Sequence, residues 1–353
     1  MHGPSRGAFD LNSLRLGVSA VKIFTDNIEL LMDFTDLVDL ASEKLGGAVI
    51  SANDEFFAPK ENLINPSPAI WIEGKYTERG KWMDGWETMR RRSPRLEEEY
   101  DWCIVRLGSP GRIRGVTVDT AFFRGNYPSH CSIEACSGTS VDDETQWTEI
   151  LPKSELNGDS QNNFAIDLSQ RVTHVRLKIY PDGGVARLRV YGDVLPDWDA
   201  IKKRDSEIDL AAVENGGTVP LASDMFFGHR VNLIMPGTAR DMSDGWESKR
   251  RRGPGHDWCI VKLGTTGRIS RVEVDTSHFK GNYPESCSID VGTGESQDSI
   301  EWRELLRNTN LQPHTRHLFV DELSDLGDVT YARLNIYPDG GVSRFRLYGR
   351  IAG

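Results

Sequence analysis

Two copies of one text fill most of this chain, and that repetition constrains the fold more than any other feature. DWCIVRLG at 101–108 returns as DWCIVKLG at 257–264, and VDTAFFRGNYP at 118–128 as VDTSHFKGNYP at 274–284. IYPDGGVARLRVYG at 179–192 returns as IYPDGGVSRFRLYG at 336–349, and DGWETMRRR at 84–92 as DGWESKRRR at 244–252. Earlier in each copy, GGAVISANDEFFAPKENLI at 46–64 parallels GGTVPLASDMFFGHRVNLI at 216–234. Two copies, each long enough to own a core, indicate a duplicated domain and not a solenoid. The divisions read from this pattern are an N-terminal extension at 1–40, a first repeat at 41–195, a linker at 196–208 and a second repeat at 209–353.

Within a repeat the hydrophobic period is that of strands. In His174-Val175-Arg176-Leu177-Lys178-Ile179-Tyr180, the aliphatic residues take one face and the charged ones the other. The alternation repeats in Arg187-Leu188-Arg189-Val190-Tyr191, and Tyr180-Pro181-Asp182-Gly183-Gly184-Val185 between them reads as a hairpin turn. Its twin lies at 337–342. Short strands punctuated by Gly, Pro, Asn and Asp indicate an all-β fold, two tandem jelly-roll β-sandwiches produced by internal duplication. Helix is expected only around Asp36–Leu45, stopped by Gly46-Gly47, and near Asp205–Val213.

Composition narrows the function. Acidic residues outnumber basic ones, 53 to 42, which argues against a bulk electrostatic grip on nucleic acid or an anionic membrane. There is no run of about 18 apolar residues that could span a bilayer. Five Cys without a close C-x-x-C pair, and no signal-like start, suit a cytoplasmic protein with reduced thiols. The ending Arg350-Ile351-Ala352-Gly353 is not a peroxisomal address. Cys103, Cys259, Cys131 and Cys287 fall within strands and are expected to be small buried hydrophobes.

Two loops could carry chemistry. The Asp84–Arg92 loop and its copy, Asp244–Arg252, set carboxylates beside guanidinium forks, a combination that can hold a small anion bearing amides. The plainer alternative is a turn whose charges neutralise one another. The strand end at Asp119, running on to Asn126 and Tyr127, has counterparts in Asp275, Asn282 and Tyr283. Asp119 and Asp275 could work on a ligand, or simply cap their loops through Asx-type bonds. None of the eight His recurs at an equivalent position, although His278 stands where the first repeat has Phe122. No zinc-type spelling occurs, so no metal or other cofactor is expected; a divalent cation needs no fixed spelling and is left open.

DGWExxRRR, VDTAFFRGNYP and YPDGGVARLRVYG, twice over and in that order, resemble the allantoicase (allantoate amidinohydrolase) family from about Ser42 to Gly349. The resemblance implies two fused sandwiches similar to galactose-binding domains, and hydrolysis of allantoate to ureidoglycolate and urea in purine breakdown. Such a C–N hydrolase needs a general acid/base and a carboxylate anchor rather than a Ser or Cys nucleophile. On that reading Arg90 or Arg250 would anchor the carboxylate. Asp84 with Glu87, or Asp244 with Glu247, would meet the ureido N–H groups. Asp119 or Asp275 would serve proton transfer, with His278 a further acid/base candidate. Trp86, Trp246, Asn126, Tyr127, Asn282 and Tyr283 would line the substrate. The sequence departs from the family pattern in its long N-terminal extension and in the acidic insert Glu97-Glu98-Glu99. Two competing classes are an enzyme acting on ureidoglycolate and a non-catalytic tandem carbohydrate-binding sandwich, for which Phe122-Phe123 and Tyr127 would form an aromatic platform. Self-association into a homo-oligomer is compatible with the many Trp and Phe.

Overall fold

A computed structural model describes residues 34–92, 99–204, 206–296 and 299–353. The first 33 residues of the extension, and Glu97 and Glu98 of the insert, lie outside the described residues.

Each repeat builds one hydrogen-bonded set of eight antiparallel strands. In the first these are Val38–Asp39, Ala48–Ala52, Asp101–Asp119, His130–Cys136, Thr148–Glu155, Gln161–Ala165, Val172–Tyr180 and Arg187–Val194. The second repeats the set from Ile208–Asp209 to Arg344–Ile351 in the same order. The 19-residue strand Asp101–Asp119 organises the whole. Its first part, to Arg106, lies between Ala48–Ala52 and Val172–Tyr180; its last part, from Gly115, lies between Arg187–Val194 and Gln161–Ala165. The register slips between Arg106 and Gly111, at Gly108-Ser109-Pro110-Gly111, where proline cannot donate to a ladder. Apolar side chains from both parts, Cys103, Val105, Val116 and Val118 among them, enter one core and are fully buried.

The expected hairpin about Tyr180–Val185 is not one. Val172–Tyr180 and Arg187–Val194 never pair with each other; each pairs with a different part of the long strand. The Pro-Asp-Gly-Gly segment is therefore an arch that carries the chain from one part of the ladder to the other. Turn residues mark where a backbone reverses, but say nothing about which strand it meets afterwards. The arch is locked by close packing, since a Cβ on Gly184 would lie 1.9 Å from the Phe123 ring and one on Gly341 2.0 Å from that of Phe279.

Both expected helices are also corrected. Residues 36–45 hold the end of the 3-10 turn Phe34–Asp36, the two-residue strand Val38–Asp39 and the 3-10 turn Glu43–Leu45, closed by Gly46 at φ +93. The 208–215 segment repeats the strand and the turn after it, and the helix falls instead in the linker, at Trp198–Lys202, capped by Asp197. An apolar pattern over so short a span cannot separate one helical turn from an edge strand, and pairing with the last strand of the repeat decided it.

The charged face of Arg187-Leu188-Arg189 is not all at the surface: Arg187 is only 1% exposed, and its counterpart Arg344 3%. Arg187 donates to the carbonyls of Ser67, Asp84 and Ala186 and to the Asp84 carboxylate at 2.8 Å, so its charge is paired and its donors are used. All five cysteines are free and buried, and burial pushes the Cys131 and Cys287 thiols up to about 12. Among the described residues no helix is long and apolar enough to cross a membrane.

Candidate functional site

The first repeat opens a cleft of about 610 Å³ between the Glu87 loop and the Phe122–Asn126 loop. Phe57, Trp71 and Phe122 supply aromatic walls, Met83 an apolar patch, and Glu73, Lys81, Glu87, Arg124 and Asn126 the polar groups. The Trp71 and Phe122 ring centroids are 6.0 Å apart.

Local structure explains why Glu87 points here. Trp86–Glu87 pairs with Gly184–Val185 of the arch, and successive side chains on a strand point to opposite faces. The fully buried Trp86 therefore goes to the core while Glu87 faces the cleft. Asn126 Nδ2 donates to Glu87 Oε1 at 2.7 Å, and the Asn126 carbonyl accepts from Gly184 N, so arch, loop and carboxylate are mutually fixed. Burial pushes the Glu87 carboxyl above the ordinary glutamate value, against the opposing pull of the Asn126 amide and the Arg90 charge. The cleft thus holds a proton carrier in a partly apolar wall, next to an oriented amide.

Of the residues expected to form a site, the structure brings Glu87 and Asn126 together in this cleft and places Arg90 nearby, exposed, with Nη2 3.4 Å from the Gly125 carbonyl. The others do different work. Asp84 is committed to Arg187 and to the Ile70 amide, at 2.8 and 2.9 Å. Asp244 pairs with Lys44 of the first repeat and lies 3.5 Å from Arg344; burial opposes its charge, but the Lys44 ammonium and the Arg240 amide hold its carboxyl below the usual range. Asp119 and Asp275 each accept the amide two residues on, Ala121 and Ser277, at 2.8 Å, the loop-capping alternative. Trp86 and Trp246 are fully buried, their indoles donating to the Asp54 and Asp224 carbonyls, and cannot touch a substrate. Tyr127 packs beside Phe123 and Gly158, and Tyr283 against the main core. His278 Nε2 lies 3.0 Å from the Ala239 carbonyl, an acceptor that only a protonated nitrogen satisfies.

The second repeat keeps Asn282 on Glu247 Oε1, and Arg250 exposed, but the ten extra residues that border the first-repeat cleft have no counterpart there. Trp71, Glu73, Lys81 and Met83 come from a stretch with no repeated motif, and reading by repetition passed over them. Their signal was the length difference itself. Among the described residues no group of three or more His, Cys, Asp or Glu is placed to hold a metal ion.

A model of the allantoicase repeat matches residues 38–195 and again 208–352. The chain belongs to the allantoicase family. It is 50% identical over 331 residues to a probable allantoicase of Photobacterium profundum, covering 91% of this chain and 99% of that one. A probable allantoicase of Pseudomonas fluorescens Pf-5 is 49% identical, with 90% and 97% covered. The crystal structure of allantoicase from Saccharomyces cerevisiae superposes with a TM-score of 0.77 at 37% identity, covering 95% of this chain and 99% of that one.

Proposed function

We propose that the first-repeat cleft is the centre at which this chain hydrolyses allantoate to ureidoglycolate and urea. The observation that carries the reading is Glu87, a buried carboxyl with a raised proton affinity, oriented by Asn126 and facing a cleft with aromatic walls. Allantoate is a carboxylate whose central carbon bears two planar ureido groups. Flat N–H-rich groups fit against the rings of Phe57, Trp71 and Phe122, and Asn126 can orient one of them. Protonated Glu87 gives its proton to the nitrogen of the departing urea as the C–N bond breaks, the bonding pair going to that nitrogen. The lone pair of the remaining ureido nitrogen supports the carbon as an acyl-iminium centre. Water then adds to that carbon, and the Glu87 carboxylate takes its proton, restoring the acid. No covalent enzyme intermediate is formed in these steps. The reading is of a cytosolic enzyme with reduced thiols acting on a free metabolite, with neither nucleic acid nor membrane as partner.

Incubating the purified protein with allantoate, and separately with ureidoglycolate, while following urea and glyoxylate tests the activity. Urea from allantoate is the expected result; urea from ureidoglycolate alone would assign the chain to the sister reaction, and none from either would favour a binding module. Arg90 has a smaller expected effect. Its positive charge lowers the Glu87 proton affinity, so Arg90→Gln leaves the acid protonated to higher pH. The alkaline limb of the kcat profile should move upward, whereas Arg250→Gln should leave it where it is. An unmoved limb in Arg90→Gln would remove Arg90 from the neighbourhood of the working acid.

A further inference from the structure

The two repeats diverge at one place beside the cleft. Ile70 and Arg240 are structural equivalents, because their backbone amides donate to Oδ2 of Asp84 and of Asp244, at 2.9 and 3.1 Å. From there to the aspartate the second repeat needs only Asp241-Met242-Ser243, while the first has Trp71 to Met83, ten residues more. Those ten, Trp71–Gly80, are built as a wall. Tyr76–Thr77 pairs with Gly80–Lys81, Lys75 Nζ sits 3.7 Å from the Trp82 ring centroid, and Arg79 donates to the Phe56 carbonyl at 2.9 Å. Without a wall, Phe227 of the second repeat is 62% exposed.

Lys81 is the end of that wall, and the residue in its place in the second repeat is Asp241, of opposite charge. The Lys81 ammonium lies 4.2 Å from the Trp71 ring centroid and lines the cleft with Glu87 and Asn126. A ring face holds an ammonium by its quadrupole and leaves N–H donors available. The other lysine or arginine lining the cleft, Arg124, is paired with Asp159 at 2.9 Å, whereas Lys81 forms no ion pair among the described residues. Asp241, by contrast, turns its carboxylate to Ser243 and would repel an anion.

We infer that Lys81 is the residue by which this cleft selects a ureide bearing a carboxylate, and that the wall carrying it confines catalysis to the first repeat. The inference rests on the reading of this cleft as the catalytic centre. With the carboxylate on Lys81, one ureido arm can reach Glu87 and Asn126 while the other lies along the aromatic wall.

The test is Lys81→Met, assayed with allantoate and with its neutral carboxamide as substrate or competitive inhibitor. Losing one charge-assisted hydrogen bond should raise the KM for allantoate about 10- to 100-fold, with kcat within about threefold. Binding of the neutral amide should be unchanged, and Lys81→Arg should restore much of the lost affinity. Lys81→Asp, which copies the second repeat, should be worse than Lys81→Met for the acid only. A parental preference for the acid in Lys81→Met, with Glu87→Gln inactive, overturns the anchor and leaves the cleft as the site. Parental activity in Glu87→Gln overturns the cleft itself.

Discussion

Glu87→Gln is expected to lower kcat for allantoate about 10²- to 10⁴-fold, the span a positioned acid contributes, with KM changed little. The substituted amide can still accept from Asn126, so the cleft keeps its shape while losing the transferable proton. Stability should move the other way. A carboxyl whose folded-state pKa is raised above its unfolded value costs stability once pH exceeds the unfolded value, and the cost grows until pH passes the folded one. Glutamine removes that cost, so at neutral to alkaline pH the variant should melt no lower than the parent. Below the unfolded pKa the two should differ little from this cause. Glu247→Gln is the internal control, since Glu247 has the same asparagine contact but no enclosing wall; its kcat should stay parental. Steady-state kinetics and a thermal melt at two pH values settle the matter. A folded Glu87→Gln enzyme with parental turnover would mean that another group carries the proton.

Arg187→Met should have the largest effect on stability. Removing one partner of a buried ion pair costs about 3–5 kcal/mol because the other charge remains, here Asp84. The carbonyls of Ser67, Asp84 and Ala186 lose a donor as well. At roughly 2–4 °C per kcal/mol for a domain of this size, the melting transition of the first repeat should fall by about 10 °C. Adding Asp84→Asn should recover part of the loss, since the stranded charge disappears. The chain from Ser67 and Ile70 leads directly into the wall, so Arg187→Met should also weaken allantoate binding below the melting temperature. A drop smaller than about 1 kcal/mol in a denaturant titration would show that the pair is solvated rather than sealed.

Duplication, strand periodicity and the Glu87–Asn126 motif residues could all be read without coordinates, because repetition exposes whatever both copies share. Repetition is equally what concealed the wall: Trp71, Glu73 and Lys81 occur in one copy only and belong to no shared motif. Asp84 and Glu87, three residues apart, looked alike as candidates, yet one is bound to Arg187 and the other faces open space. A carboxylate's neighbours come from distant strands, and local spelling cannot distinguish a paired acid from one that is free to work.

The sequence by itself therefore determined an all-β duplicated chain of the allantoicase family, since family spelling and alternating polarity are properties of neighbouring residues. Tertiary structure alone decided that the Pro-Asp-Gly-Gly segments are arches, that Arg187 and Arg344 are buried, and that the extra segment of the first repeat borders a cleft facing Glu87. Those outcomes depend on which backbone each strand meets and which side chains then fall within a few ångströms, and sequence-distant groups acquire that proximity only when the chain folds.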